Sequence, residues 1–356
     1  MLCTKCNETF DIKESSSKIY WMSEFAELSQ KSRLFVEKMG FEVLDHEGIS
    51  YIEVEKTKQF FTDNVVLIAE HFNDLERNSI RLVIAYAGES FNFHSVLGAK
   101  NLQRYINIIE DREFFDIVNN KSLTSYFQPI IKASDRSIYG YEALIRGVKE
   151  DGSLMFPDEL FVKSARNDIN FKFDRICRES ALKTAAVKRV QQKVFINFIP
   201  TAIYDPEFCL NSTVKWANQF EFDPSNIIFE VVETENVKDQ EHLKKILTFY
   251  REQGFKIALD DVGEGYSSLN MLVNLRPDII KVDRNIIENI HQNPLKQSVY
   301  KALFTMAKDH GIEVLAEGVE TAQELAMIET LGVDYIQGYY FGKPTAEPIR
   351  KIDTKR

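Results

Sequence analysis

Nowhere does this chain contain an apolar run approaching the ~18–20 residues that a membrane-spanning helix needs. Its opening stretch, Met-Leu-Cys-Thr-Lys-Cys, leads into no apolar signal core. The expected location is the cytoplasm, with no membrane partner. Cysteine is scarce, four in 356 residues. Cys177 and Cys209 lie far apart and read as buried apolar residues. A disulfide scaffold is therefore not expected in a chain of this size in a reducing compartment. Cys3 and Cys6 form half of a zinc knuckle, with no second C-x-x-C or H-x-x-x-H, and the nearby histidines are His46, His71 and His94. Spacing alone leaves a metal or redox site and a solvated tail both open.

Positive charge is also short. Lys and Arg total 44 against 54 Asp and Glu, a formal net charge of −10, of which −7 falls up to Asn120 and −3 beyond it. A protein that grips duplex nucleic acid by its phosphates normally shows a basic face. None is evident, so no nucleic-acid polymer is expected as a partner. What is present is ordinary for a folded protein: 44% hydrophobic and 28% charged residues. At ~150 residues per domain the length suggests about two domains.

From about residue 121 short β-branched and aromatic runs alternate with amphipathic stretches, the βα signature of a parallel sheet. The expected strands are Tyr126–Ile131, Ser137–Ile145, Val194–Phe198, Ile227–Val232, Lys256–Asp260, Ile279–Val282, Glu313–Ala316 and Tyr335–Gln337. Gln240–Gln253, Pro294–His310 and Thr321–Thr330 read as helices, the last opening with a capping box. This pattern predicts an irregular (β/α)8 TIM-type barrel. Its first two strands are separated only by Lys132–Arg136, too short for a crossover, so the first strand should be antiparallel. Residues 1–115 read as a small α/β or α+β domain. Helices are expected at Phe25–Met39 and Gln59–Asn78, strands at Tyr51–Val54 and Ile80–Tyr86, and a helical connector at Asn107–Lys121.

Such barrels keep their chemistry at the C-terminal strand ends. Those ends carry Glu142, Asn197, Glu230, Asp260 with Asp261, Lys281 with Asp283, Glu317 and Gln337. Carboxylates gathered on one rim repel by several kcal/mol, to order of magnitude, unless a cation joins them. All-oxygen donors favour Mg2+ or Mn2+ over zinc, and the paired aspartates suit two ions close together.

The same residues lie in segments that resemble a known family. These are Tyr-Phe-Gln-Pro-Ile-Ile (126–131), Glu-Ala-Leu-Ile-Arg (142–146), Ile-Asn-Phe-Ile-Pro around Asn197, and Phe-Glu-Val-Val-Glu-Thr-Glu (229–235). Beyond them come Asp-Asp-Val-Gly-Glu-Gly-Tyr-Ser-Ser (260–268), Lys-Val-Asp-Arg (281–284), Ala-Glu-Gly-Val-Glu-Thr (316–321) and Gln-Gly-Tyr-Tyr-Phe-Gly-Lys-Pro (337–344). Together they resemble the EAL-domain cyclic di-GMP phosphodiesterases, over about Tyr126 to Pro344. The resemblance implies an enzymatic barrel over 116–350 that hydrolyses cyclic di-GMP to linear pGpG with two Mg2+ or Mn2+ ions.

It also implies roles. Glu142, Asn197, Glu230 and Asp260 would hold one ion, and Asp260, Asp261 and Glu317 the other, with Asp260 shared. Lys281 would sit beside the attacking water, so that Lys281, Glu317 and Glu142 carry the catalysis. Gln128, Arg146 and Gln337 would serve the substrate, Gln337 also supporting the water or metal shell. Glu233 would steady the loop after Asp261, and Glu320 would give outer support or be an ordinary ion-pair partner, as would Asp283. The barrel would pair as a homodimer. Val262 and Glu264 depart from the family's Phe and Thr in that loop, and Ile199 from its Ser, which places rate and regulation in doubt but no proposed ligand. The alternative is a receptor that binds cyclic di-GMP without cutting it. Residues 1–115, with the Cys3/Cys6 pair, would act as a regulatory domain.

Overall fold

The structure, a computed structural model, describes residues 11–203, 205–232, 240–263 and 268–352. It divides into two units. Of the described residues, one holds 11–119 together with Val162–Asp168; the other holds Asn120–Phe161 and those from Ile169.

In the first unit the chain runs β1 (Ser17–Met22), α1 (Ala26–Lys38), β2 (Leu44–His46), β3 (Ile49–Val54), α2 (Thr57–His71), α3 (Asp74–Ser79) and β4 (Arg81–Tyr86). It continues with α4 (Phe93–Leu97), β5 (Lys100–Asn101), α5 (Leu102–Glu110) and α6 (Arg112–Asn120). The strands form one antiparallel sheet ordered β2-β3-β1-β4-β5. Alternation sorts its faces: Ile19, Trp21, Ile52, Val54 and Leu82 pack with Leu28, Phe61 and Ile68 of the helices. On the other face Tyr20 stacks on Tyr51 at 4.8 Å and on Phe91 at 4.2 Å between ring centroids.

The expected helix over 59–78 is two helices. Asn73 breaks it, its side chain accepting the Glu76 N–H while Glu76 reaches back to the Asn73 N–H. The expected connector likewise divides at Asp111, between α5 and α6.

The second unit is a closed barrel. Its strands are β6 (Leu123–Lys132), β7 (Ile138–Val148), β9 (Lys193–Asn197), β10 (Ile227–Val232), β11 (Lys256–Val262), β12 (Ile279–Val282), β13 (Glu313–Ala316) and β14 (Tyr335–Gln337). A short β8 (Leu154–Met155) pairs beside the end of β7. Strands β7 and β9 to β14 run parallel in sequence order, and β6 closes the ring antiparallel to both β14 and β7. The antiparallel first strand is therefore as expected. The connecting helices are α7 (Pro157–Arg166), α8 (Asn170–Val187), α9 (Pro206–Gln219), α10 (Gln240–Glu252), α11 (Ser268–Leu275), α12 (Arg284–Ile287), α13 (Pro294–Asp309) and α14 (Ala322–Leu331).

Period two decides what each strand buries. Ile130, Phe195, Ile228, Ala258, Ile279, Leu315 and Tyr335, one from each of seven strands, meet in a single buried cluster inside the barrel. Their neighbours Ile196, Phe229, Ile257, Ile280, Val314 and Ile336 pack outward with Leu243, Tyr250 and Tyr300 of the helices. Each fully buried side chain of this size contributes roughly 1.5–3 kcal/mol before entropy is charged against it. Cys177 and Cys209 are buried and free. Among the described residues no helix is long and apolar enough to cross a membrane.

Candidate active site

One pleat above the apolar cluster the barrel changes character. Two residues past Phe195, Ile228, Ala258, Ile279, Leu315 and Tyr335 come Asn197, Glu230, Asp260, Lys281, Glu317 and Gln337. Strand β6 runs the other way, so its counterpart, Gln128, lies two residues before Ile130 and directly opposite Glu142 of β7. The alternation that makes the core thus also delivers a ring of polar side chains.

The ring is tied together at two centres. Glu142 is held by amides on either side: Asn197 Nδ2 donates to Oε1 at 3.1 Å and Gln337 Nε2 donates to Oε2 at 2.6 Å. The Lys281 ammonium touches three carboxylates, Glu230 at 2.6 Å, Asp260 at 2.8 Å and Glu317 at 2.8 Å. Neighbouring residues on a regular strand point to opposite faces, which would part Asp260 from Asp261. Here the β11–β12 register slips between Leu259 and Val262, and Asp261 adopts φ +53°. That left-handed conformation costs about 1–2 kcal/mol outside glycine. With it, carboxylate oxygens of Asp260, Asp261 and Glu317 all lie within 4.8 Å of one another. Asp260 also accepts the Asp261 N–H at 3.0 Å.

Electrostatics mark this ring as unfinished. Burial drives the Glu230 carboxyl well above its ordinary pKa, with Glu142 and Asp260 adding to the rise and Lys281 opposing it. Burial does the same to Glu317. Burial works against the Lys281 ammonium, yet Asp260, Glu142, Glu230 and Glu317 outweigh it and hold the amine well above its usual value. One lysine therefore faces more negative charge than it can balance. Glu230 is wholly buried, and apart from that ammonium contact neither of its oxygens accepts a hydrogen bond among the described residues. The Gln337 Oε1 is likewise buried without a partner among the described residues. Unpaired buried oxygens in an all-oxygen donor set fit hard divalent cations.

Other expected residues lie around this centre. Gln128 is buried and its Nε2 reaches Gly342 O at 3.5 Å. Arg146, two pleats beyond Glu142 on β7, is also buried. Glu320 is paired with Arg284 at 3.1 Å, and Asp283 caps α12 by accepting the Asn285 N–H at 2.8 Å. Glu233, Glu264, Cys3 and Cys6 fall outside the described residues.

Two supports were not anticipated. Asp174, buried in α8, pairs with the buried Arg178 at 2.7 Å and accepts the Ile199 N–H at 2.9 Å, pinning the turn two residues past Asn197. An Asp and Arg four apart on the apolar side of a helix was the available signal. Gly338 follows Gln337, and a Cβ there would meet Val319 O at 2.0 Å, so only glycine lets the ends of β13 and β14 approach so closely.

The barrel that carries this ring is similar to known proteins. A family model described as the EAL domain matches residues 111–344. PdeA of Escherichia coli K12, named a probable cyclic di-GMP phosphodiesterase, is 30% identical over 225 residues, covering 62% of this chain and 30% of that protein. PdeG of the same organism, similarly named, is 29% identical over 231 residues, covering 64% and 45%. The match thus spans less than half the length of either relative. Among solved structures, a standalone versatile EAL protein from Vibrio cholerae O395 in its c-di-GMP-bound form is 39% identical with TM-score 0.60, covering 65% of this chain and 96% of that one. An EAL domain protein from Listeria monocytogenes EGD-e is 25% identical with TM-score 0.59, covering 66% and 94%.

Proposed function

Because the chain belongs to the EAL-domain family, we propose that it hydrolyses one phosphodiester of cyclic di-GMP, giving linear pGpG, with two Mg2+ or Mn2+ ions. The observation that carries this reading is the intact oxygen ring around Lys281, closed by the Asp260, Asp261 and Glu317 cluster. Glu142, Asn197, Glu230 and Asp260 would hold one ion, and Asp260, Asp261 and Glu317 the second. What the ions supply when bound is Lewis acidity, which lowers the pKa of water and offsets charge on the phosphoryl oxygens.

The protein's own residues do the rest. Lys281, kept protonated by its carboxylates, places a fixed positive charge where negative charge develops during attack. Asn197 and Gln337 lock Glu142 in one orientation. Arg146 and Gln128 bind the dinucleotide, Arg146 through its phosphate. The same reading takes the barrel as a homodimer in the cytoplasm, regulated by the N-terminal unit.

Incubating the purified chain with cyclic di-GMP and Mn2+ should yield pGpG. Glu142→Ala should lower turnover by on the order of 10^3-fold or more while the circular dichroism spectrum stays unchanged. Saturable binding without product would make the protein a receptor instead. Retained activity in the variant would overturn the assigned ligand set.

A further inference from the structure

Arg146 is a buried cation, 7% exposed, that forms no ion pair among the described residues. A buried guanidinium without a counter-charge is costly and needs other company. Part of it is backbone: Nη1 donates to Ile145 O at 2.7 Å and, at the limit, to Leu144 O at 3.4 Å. The remainder is aromatic. The guanidinium carbon lies over the Tyr126 ring at 5.2 Å and over the Phe156 ring at 5.0 Å, both inside cation–π range.

Tyr126 comes from β6. Thr124 stands opposite Arg146 in the β6–β7 register and Tyr126 opposite Leu144, so the ring reaches Arg146 along the diagonal of one face. Phe156 comes from the turn between β8 and α7 and is 55% exposed, an unusual setting for a residue with core packing as its purpose. With Nη1 committed, the Nε and Nη2 edge has no protein partner among the described residues, and Nε is buried. That edge is the one that grips an oxyanion with two parallel hydrogen bonds.

We infer that Tyr126 and Phe156 are positioning residues that hold the Arg146 guanidinium against their ring faces and present its Nε/Nη2 edge to a phosphate of the dinucleotide. This rests on the proposed phosphodiesterase reading. Burial pulls the guanidinium's pKa down while Tyr126, Glu142, Asp158 and Tyr339 pull it back, in keeping with a cation held by rings and distant charges.

Steady-state kinetics on cyclic di-GMP test it. Phe156→Ala should raise KM about 3- to 30-fold and change kcat less than about 2-fold. Phe156→Tyr should restore KM, and Tyr126→Leu should behave like Phe156→Ala. In an Arg146→Ala background, Phe156→Ala should add less than about 2-fold, because the ring acts through the arginine. The proposal is overturned if Phe156→Ala leaves KM unchanged, or raises it equally with Arg146 absent. It is also overturned if the variant lowers the unfolding midpoint and Phe156→Tyr restores stability but not KM. If the wild-type chain binds without cutting, Kd replaces KM in the same cycle. A wild-type chain that neither cuts nor binds cyclic di-GMP overturns the functional reading and this inference together, whereas failure of the variants alone overturns only the inference.

Discussion

At the scale of single residues the decisive group is Lys281, whose ammonium is shared among Glu230, Asp260 and Glu317. Lys281→Met should lower turnover about 10^2- to 10^3-fold. It should also destabilise the metal-free protein by roughly 3–5 kcal/mol, since buried carboxylates lose the one ammonium that pairs with them among the described residues. Adding Mn2+ should then raise the thermal midpoint of the variant more than that of the wild type; an equal shift would count against lysine and cation serving the same carboxylates. The polar ring itself was legible, because strand ends can be found and every second residue counted. The left-handed Asp261 was not. Adjacent aspartates can be read from sequence, but their convergence depends on a register slip set by the neighbouring strand. Phe156 was equally hidden, since nothing in its local sequence pairs it with an arginine ten residues earlier.

Helices and strands repeat this division. The barrel strands lie within a residue or two of expectation at most ends, because their apolar runs are short and bounded. Strand β1 escaped notice because Ile19, Tyr20 and Trp21 are all buried, which erases the alternation that marks a half-exposed strand. The capping box of α14 was foreseen, and the structure adds to it. Glu324 accepts the N–H of Thr321 and Glu320, each at 3.0 Å, and that of Asn289 at 2.9 Å. One side chain therefore fastens the helix start to the segment after α12. Thr321→Ala should cost about 1 kcal/mol, but Glu324→Ala about 2–3 kcal/mol, since it removes a buried carboxylate that accepts from three backbone donors at once. Denaturant midpoints of the two variants compare them directly, and equal losses would reduce Glu324 to an ordinary cap.

Over the whole molecule, the net charge of −10 would lose some of its meaning if the two proposed ions were bound by the five carboxylates assigned to them. The more consequential charge is Asp111, 1% exposed between α5 and α6. It accepts from Lys163 at 2.7 Å, Arg166 Nε at 3.0 Å and Asn167 at 2.8 Å. Burial raises its pKa, but Arg166, Lys163 and Asn167 overcome this and leave it below the ordinary value. Its stabilisation is therefore present above the unfolded carboxyl pKa of about 3.9 and disappears as pH falls through the lower folded value. Asp111→Asn should cost about 2–3 kcal/mol at neutral pH, allowing for partners partly in solvent. The gap from wild type should close below about pH 4; unfolding measured across pH would expose a constant gap if the cluster were inert. Lys163 and Arg166 belong to α7, a continuous helix whose first half is assigned to the barrel unit and whose second half is assigned to the other. The first unit is thus discontinuous in sequence. A barrel excised at residue 116 would carry Lys163 and Arg166 away from the carboxylate that binds them. Any transplant of this barrel into another protein must supply a new Asp111 or replace residues 162–168 along with the domain it leaves behind.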